Sequence, residues 1–383
     1  MTAASAPSGV DRLAGLRVAL VHDWLTGMRG GERALEAFCD LFPHAHLHTM
    51  VHVSGSVSAQ IERRPIHDSA LRYVPGLGRV YRHLLPAFPT IVEQFDLDEY
   101  DLVVSTSHCA VKSVVVPGRT LHVSYCFTPM RYAWDQFDAY FGAERLGVFS
   151  RFARLALGGL ADWDRRTSRR PNRYVAISQY VARRIAMYYN RSAVVVYPPV
   201  DTQFYCPADR KVDDYFLIVS ALVPYKRVDL AIEACKRLGA RLRVIGQGPE
   251  LARLQRLAGP ETSFLGHCPD DEVREQYRAA RAVLLPGEED FGMVPVEAQA
   301  CGRPVVALGR GGALETVVPG QTGVLVEEPT AEAFADGLRR ASELAVDAAV
   351  IRAHAEQFSK LAFLERMSGL LADSWLAFRE ARA

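Results

Sequence analysis

Two glutamates, Glu289 and Glu297, stand with seven residues between them in the run PGEEDFGMVPVEAQACGRP (286–304). Proline is favoured in the first turn of a helix, so the run predicts a helix starting near Val294 or Pro295. Glu289 then lies on the loop after a strand at 282–285, and Glu297 falls in the helix's first turn. The free amides of Gly292, Met293 and Val294 would form an anion site at the helix N-terminus. A diphosphate there, one carboxylate on sugar hydroxyls and a second on ribose hydroxyls is the chemistry of a sugar nucleotide. A plainer reading is that Glu297 complements the helix dipole and Glu289 is a solvated loop acid. For an isolated pair that reading wins; the flanking glycines and prolines weigh against it.

Further residues could serve the same chemistry. Lys226, in VPYKR (223–227), ends the loop after a strand at 215–220 and can reach a phosphate as a point charge, although a lysine before a helix is usually just exposed. His108 ends a strand in STSHCA (105–110), where a lone histidine is more often structural than catalytic. Gly27–Gly31 (GMRGG) is either a loop over a ligand or a tight strand-to-helix turn. Gly246-x-Gly248 lacks the third glycine of a dinucleotide fingerprint, so it is placed in a nucleotide pocket with the Gly266-His267-Cys268 turn. Asp96-x-Asp98 imitates a metal-binding pair but precedes a strand, which puts it at the wrong end of a sheet. No metal and no other cofactor is expected, because a helix dipole and basic side chains can stabilise a leaving diphosphate.

These residues need a scaffold, and the chain supplies two. Arg17–His22, Asp101–Ser105, His122–Cys126, Tyr174–Ile177 and Ala193–Tyr197 read as buried strands, with helices at Gly31–Leu41 and Gln179–Met187 between them. The alternation stops at Pro198-Pro199 and restarts at Tyr215. The predicted layout is an N-terminal Rossmann-like acceptor domain (1–199), a linker (200–214), and a C-terminal Rossmann-like nucleotide-sugar domain (215–357). A final amphipathic helix (358–383) is expected to pack back on the first domain. The fold class is α/β, with doubly wound parallel sheets whose strand ends face a central cleft.

Composition narrows the function. The net charge of +1 gives no global reason for nucleic-acid binding. No signal-peptide pattern and no membrane span is visible, and the seven dispersed cysteines suit a reduced, cytoplasmic setting. Two stretches, 63–88 and 144–170, mix arginines with large apolar side chains, which suits peripheral attachment to an anionic inner-membrane face as well as an ordinary solvated helix.

The 284–326 segment resembles the signature of the family 4 retaining glycosyltransferases of GT-B fold, above all their bacterial mannosyltransferase-like branch of O-antigen and exopolysaccharide synthesis. VHDWLTGMRGGERALE (21–36), DLVVSTSHCAVKSV (101–114), CFTPMRYAWDQFDAYF (126–141), VAISQYVARRI (175–185), SALVPYKRVDLAIEA (220–234) and GQGPE (246–250) follow in the family's order. The resemblance implies a donor-phosphate role for Lys226 and catalytic or donor-facing roles for Glu289 and His108. It favours Gly30 and Gly31 as active-site lining, counted with the donor-binding residues, in a loop over the donor diphosphate or the acceptor. The implied donor is a nucleoside diphosphate sugar, GDP-mannose favoured, and the acceptor a polyprenyl-diphosphate-linked or other glycan. Two positions depart from the pattern. Ala221 stands where an arginine is usual, which Arg227 or Arg131 would have to replace, and Phe127 stands where histidine is usual. These departures keep two other readings open: a degraded sugar-nucleotide-binding scaffold, and an epimerase or hydrolase of the same fold.

Overall fold

The computed structural model describes residues 8–134 and 150–382. They fall into two compact units, one of Met1–Pro199 with Phe363–Ala383, the other of Val200–Ala362.

The first unit is a seven-stranded parallel sheet: β1 (Val18–Leu25), β2 (His46–His52), β3 (Ile66–Asp68), β4 (Leu102–Ser107), β5 (Leu121–Cys126), β6 (Arg173–Ala176) and β7 (Ala193–Val195). Their order is β3-β2-β1-β4-β5-β6-β7. Every residue of β1, β4 and β5 is buried, as expected for central parallel strands covered on both faces. Helix α1 (Gly30–Leu41) follows β1 and buries Ala34, Leu35, Phe38 and Leu41. On one side of the sheet Trp24, Tyr81, Leu85 and Phe88 share a core cluster. The apolar half of the 63–88 stretch is therefore spent on packing, while Arg72, Tyr73 and Arg82 remain exposed. Much of the 144–170 stretch lies outside the described residues or their described side chains; its end belongs to α2 (Ser150–Thr167).

The second unit is a six-stranded parallel sheet: β8 (Phe216–Val219), β9 (Leu242–Ile245), β10 (Thr262–Gly266), β11 (Ala282–Leu285), β12 (Val305–Leu308) and β13 (Gly323–Val326), ordered β10-β9-β8-β11-β12-β13. Helices α3 (Val228–Leu238), α4 (Asp270–Ala279) and α5 (Met293–Ala300) are the crossovers that matter for the site. The stretch 200–214 packs within this unit: Tyr205 is buried and meets Tyr277 edge-on. The last helix, α6 (Lys360–Glu380), contributes Phe363 to the first unit, where it stands edge-on to Phe38 and Tyr125. Among the described residues no helix is long and apolar enough to cross a membrane.

Both sheets reverse direction at one strand. In the first, the chain runs outward from β1 through β2 to β3, then returns to the other side of β1 at β4. In the second it runs from β8 to β10 and returns at β11. Crevices that hold ligands form at the carboxyl ends of such switch points. Asp96 and Asp98 lie before β4, away from that end, and their contact is a local turn, Asp98 N donating to Asp96.

Candidate functional site

In the second unit the two loops flanking the switch meet. Lys226 closes the turn after β8, and its ammonium pairs with the Glu289 carboxylate on the loop after β11. The approach is close backbone to backbone: a Cβ on Gly287 would lie 2.6 Å from the Tyr225 carbonyl oxygen. From the other side, Gly312 N donates to Glu289 O at 2.8 Å. Glu289 is thus fixed by its main chain on one side and by an ion pair on the other.

Helix α5 starts two residues before Pro295, at Met293, with Gly292 as its cap at φ +86°. This corrects the expected start. Pro295 is tolerated in the third position because the first amides of a helix have no intrahelical acceptor, so its missing N–H costs nothing there. Gly292, Met293 and Val294 retain their amides ahead of the first helical hydrogen bond. Glu297 consequently sits in the second turn, not the first. The residue is 8% exposed, and its carboxylate accepts a hydrogen bond from the Tyr277 hydroxyl of α4 at 2.9 Å. Burial beside that carboxylate holds the Tyr277 phenol protonated, well above its ordinary pKa.

Gly246 and Gly248 have a packing reason to be glycine. A Cβ on Gly246 would lie 1.8 Å from the Ser220 carbonyl oxygen. Gly246 N donates to Gly266 O at 2.7 Å, which ties the carboxyl ends of β9 and β10, and Gly248 abuts Leu222. Arg227 adopts a left-handed conformation, and its guanidinium makes a forked pair with Asp229 at 3.2 Å. That pair engages the cation proposed to offset Ala221, which is exposed on the same loop.

In the first unit His108 lies just beyond β4, next to the switch. Its ring Nδ1 is 3.2 Å from Asp23 Oδ2, and Trp24 meets the ring edge-on at 4.3 Å between centroids. Asp23, fully buried in β1, accepts four successive backbone N–H bonds. They come from His108 and Cys109 to Oδ2 at 2.7 and 2.8 Å, and from Ala110 and Val111 to Oδ1 at 2.7 and 3.0 Å. Behind them His22 Nδ1 bonds Thr106 Oγ1 at 2.7 Å, while its Nε2 stands 3.9 Å from Glu32. Burial works to raise the Glu32 pKa, yet contact with His22 and a backbone bond bring it below the usual carboxylate value. Burial also lowers the His108 pKa, against the pull of Asp23. Gly30 and Gly31 open α1 beside this cluster, and a Cβ on Gly31 would rest at 3.5 Å from the Phe127 ring and 3.6 Å from His22. Phe127 packs near both imidazoles, at 6.4 and 6.3 Å between centroids.

Asp23, His22, Glu32 and Tyr277 were not singled out from sequence. A signal for the first two existed: a histidine-aspartate pair inside an eight-residue buried strand is polar where apolar residues belong.

Residues 207–358 match the family model described as glycosyl transferases group 1. The chain is 32% identical over 214 residues to the D-inositol 3-phosphate glycosyltransferase of Mycobacteroides abscessus, covering 49% of this chain and 47% of that protein. It is 35% identical over 174 residues to the protein of the same name from Kribbella flavida, covering 38% and 41%. The chain thus spans about half the length of the curated relatives it matches. Among solved structures, the HepE protein of Anabaena in complex with UDP superposes with a TM-score of 0.68 at 18% identity, covering 94% of this chain and all of that one. Sucrose-phosphate synthase of Thermosynechococcus elongatus gives 0.66 at 15%, with coverage of 94% and 100%. At these identities the likeness is one of fold, two parallel-sheet α/β domains of GT-B type.

Proposed function

We propose that the chain is a retaining, metal-independent glycosyltransferase that moves a hexose from a nucleoside diphosphate sugar to an acceptor hydroxyl. The observation that carries this is the Lys226–Glu289 ion pair at the second unit's switch point, with the N-terminus of α5 three residues after Glu289 and Glu297 buried in that helix. In this reading amides 292–294 and Lys226 hold the diphosphate, Glu289 the sugar hydroxyls, and Glu297 the ribose. Tyr277, donating to the Glu297 carboxylate, orients it for the ribose. Gly246, Gly248 and Gly266 line the nucleotide side, and Arg227 reaches the diphosphate by exchanging Asp229 for it. The match of residues 207–358 supports the activity.

Positive charge on the departing diphosphate lowers the barrier to breaking the anomeric bond, and the leaving phosphate takes the acceptor proton on the same face. The first unit binds the acceptor, with His108, Gly30 and Gly31 lining that site. The sequence resemblance favours GDP-mannose as donor and a polyprenyl-diphosphate-linked glycan as acceptor in cell-surface polysaccharide synthesis. A solved neighbour in complex with UDP-glucose, and relatives named for D-inositol 3-phosphate, set the other members of the panel. Peripheral attachment to the cytoplasmic membrane face would use the exposed Arg72, Tyr73 and Arg82.

Calorimetry with GDP-mannose, UDP-glucose and related donors, followed by radiolabelled transfer to lipid extract and to inositol phosphate, tests this reading. Failure to bind any sugar nucleotide would sink it. Binding without turnover would favour the scaffold that Ala221 and Phe127 suggest, and turnover without acceptor a hydrolase or epimerase.

A further inference from the structure

We infer that Asp23 is a positioning residue that fixes His108 in one tautomer, so that Nε2 presents a lone pair to a hydroxyl of the bound acceptor other than the attacking one. The inference rests on the reading of the first unit as the acceptor domain.

A neutral imidazole carries its proton on one nitrogen, and the partner of the other decides which. The Asp23 carboxylate acts as acceptor toward all four backbone N–H groups, and His108 Nδ1 lies 3.2 Å from its Oδ2. That contact requires Nδ1–H, which leaves Nε2 as an acceptor. The carboxylate cannot turn away, because four backbone N–H groups from residues 108–111 grip both its oxygens. The same four bonds hold the loop that carries His108, so one buried side chain sets both the position of the ring and its proton. Trp24, edge-on to the imidazole, limits its rotation.

The groups facing His108 divide in sign. Asp23 and Glu32 favour its protonation, while His22 and Arg29 oppose it. Burial tips the balance toward the neutral ring, which is the form able to accept a hydrogen bond. His108 keeps 27% of its side-chain surface exposed, whereas Asp23 and His22 have none. His108 is therefore the group of this cluster that an incoming hydroxyl can reach. Phe127, which can neither donate nor accept a hydrogen bond, leaves the polar contact at this strand end to His108.

The test uses the full chain labelled with 15N-histidine, with the His108 resonances assigned by loss in His108→Gln. Long-range proton–nitrogen spectra near neutral pH should show His108 protonated at Nδ1. In Asp23→Asn the amide NH2 can face Nδ1, which should move the proton to Nε2. Transfer to lipid-extract acceptor should then fall at least about tenfold in kcat/KM, with affinity for GDP and UDP unchanged. Should Asp23→Asn fail to fold, the wild-type tautomer still decides. Nε2–H in the wild-type chain overturns the inference, as does an Asp23→Asn protein that keeps full transfer. If wild type shows Nδ1–H but transfers nothing, the glycosyltransferase reading fails and the orienting role of Asp23 stands without it.

Discussion

Lys226 and Glu289 already satisfy one another, and that makes their substitutions separable. A diphosphate must compete with the Glu289 carboxylate for the same ammonium. Lys226→Ala removes the point charge, and GDP and UDP affinity should fall by about ten- to a hundredfold, roughly 1.4–2.8 kcal/mol. Glu289→Gln should act in opposite directions on two ligands. Free GDP or UDP should bind a few-fold tighter because Lys226 is released, while transfer from the sugar nucleotide falls because the hydroxyl contacts are lost. Calorimetry on both ligands reads the two signs; an equal loss on both would show that Glu289 only shapes the loop. Tyr277→Phe should weaken nucleoside diphosphate binding by about tenfold if its hydroxyl orients Glu297, since hydrogen bonds to charged groups contribute about 1.5–3 kcal/mol. The carboxylates at 289 and 297 were legible from their own run of sequence. Tyr277 was not, because nothing in a helix beginning with three acidic residues marks one tyrosine as facing a carboxylate twenty residues on.

At the scale of elements, legibility followed hydrophobic continuity. The strands expected at 215–220 and 282–285 fall within a residue of β8 and β11 because each is a short apolar run between turn signals. β2 and β3 were missed. HLHTMVH interleaves histidines with apolar residues, and β3 is a three-residue edge strand, too short to show any period. The histidines of these strands have a consequence for stability. Burial, followed by the charges of His67 and His46, pushes the His48 pKa down to about 4. His122 in β5 is pushed down to about 3 by burial, then by Lys112 and Arg170. Unfolded, both titrate near about 6.5. Below that pH the unfolded chain takes up protons that the folded chain refuses. Stability is therefore whole above pH 6.5 and is lost as pH falls toward 4 for His48 and 3 for His122. The slope is at most about 1.4 kcal/mol per pH unit for each. Urea midpoints at pH 7 and pH 5 should show the loss, and His48→Phe should flatten it. An unchanged slope in that variant would mean that His48 titrates normally in the fold.

At the scale of the molecule, the first unit is discontinuous in sequence: its final part, Phe363–Ala383, comes after the whole of the second. A terminal amphipathic helix announces an apolar face that needs a partner, and the first domain was the expected one, but it does not announce the residues it meets there. That the partner includes Phe38 of α1 and Tyr125 of β5 depends on contacts between residues hundreds of positions apart, which no local pattern encodes. Phe363 is fully packed, with Met367 and Leu371 buried further along the same face. Truncating a buried phenylalanine leaves a cavity and costs about 3–5 kcal/mol. Phe363→Ala should therefore lower the melting temperature of the first unit by several degrees. Donor contacts lie wholly in the second unit on the present reading, so GDP and UDP affinity below the melt should stay unchanged while transfer falls with the folded fraction. Thermal melts followed by tryptophan fluorescence report the first unit, because Trp24, Trp134, Trp163 and Trp375 all belong to it. Calorimetry on the same variant reports the second. A variant that melts unchanged would show that the last helix is dispensable to the first unit, and one that loses nucleotide binding while still folded would show that the two units do not divide the work between acceptor and donor.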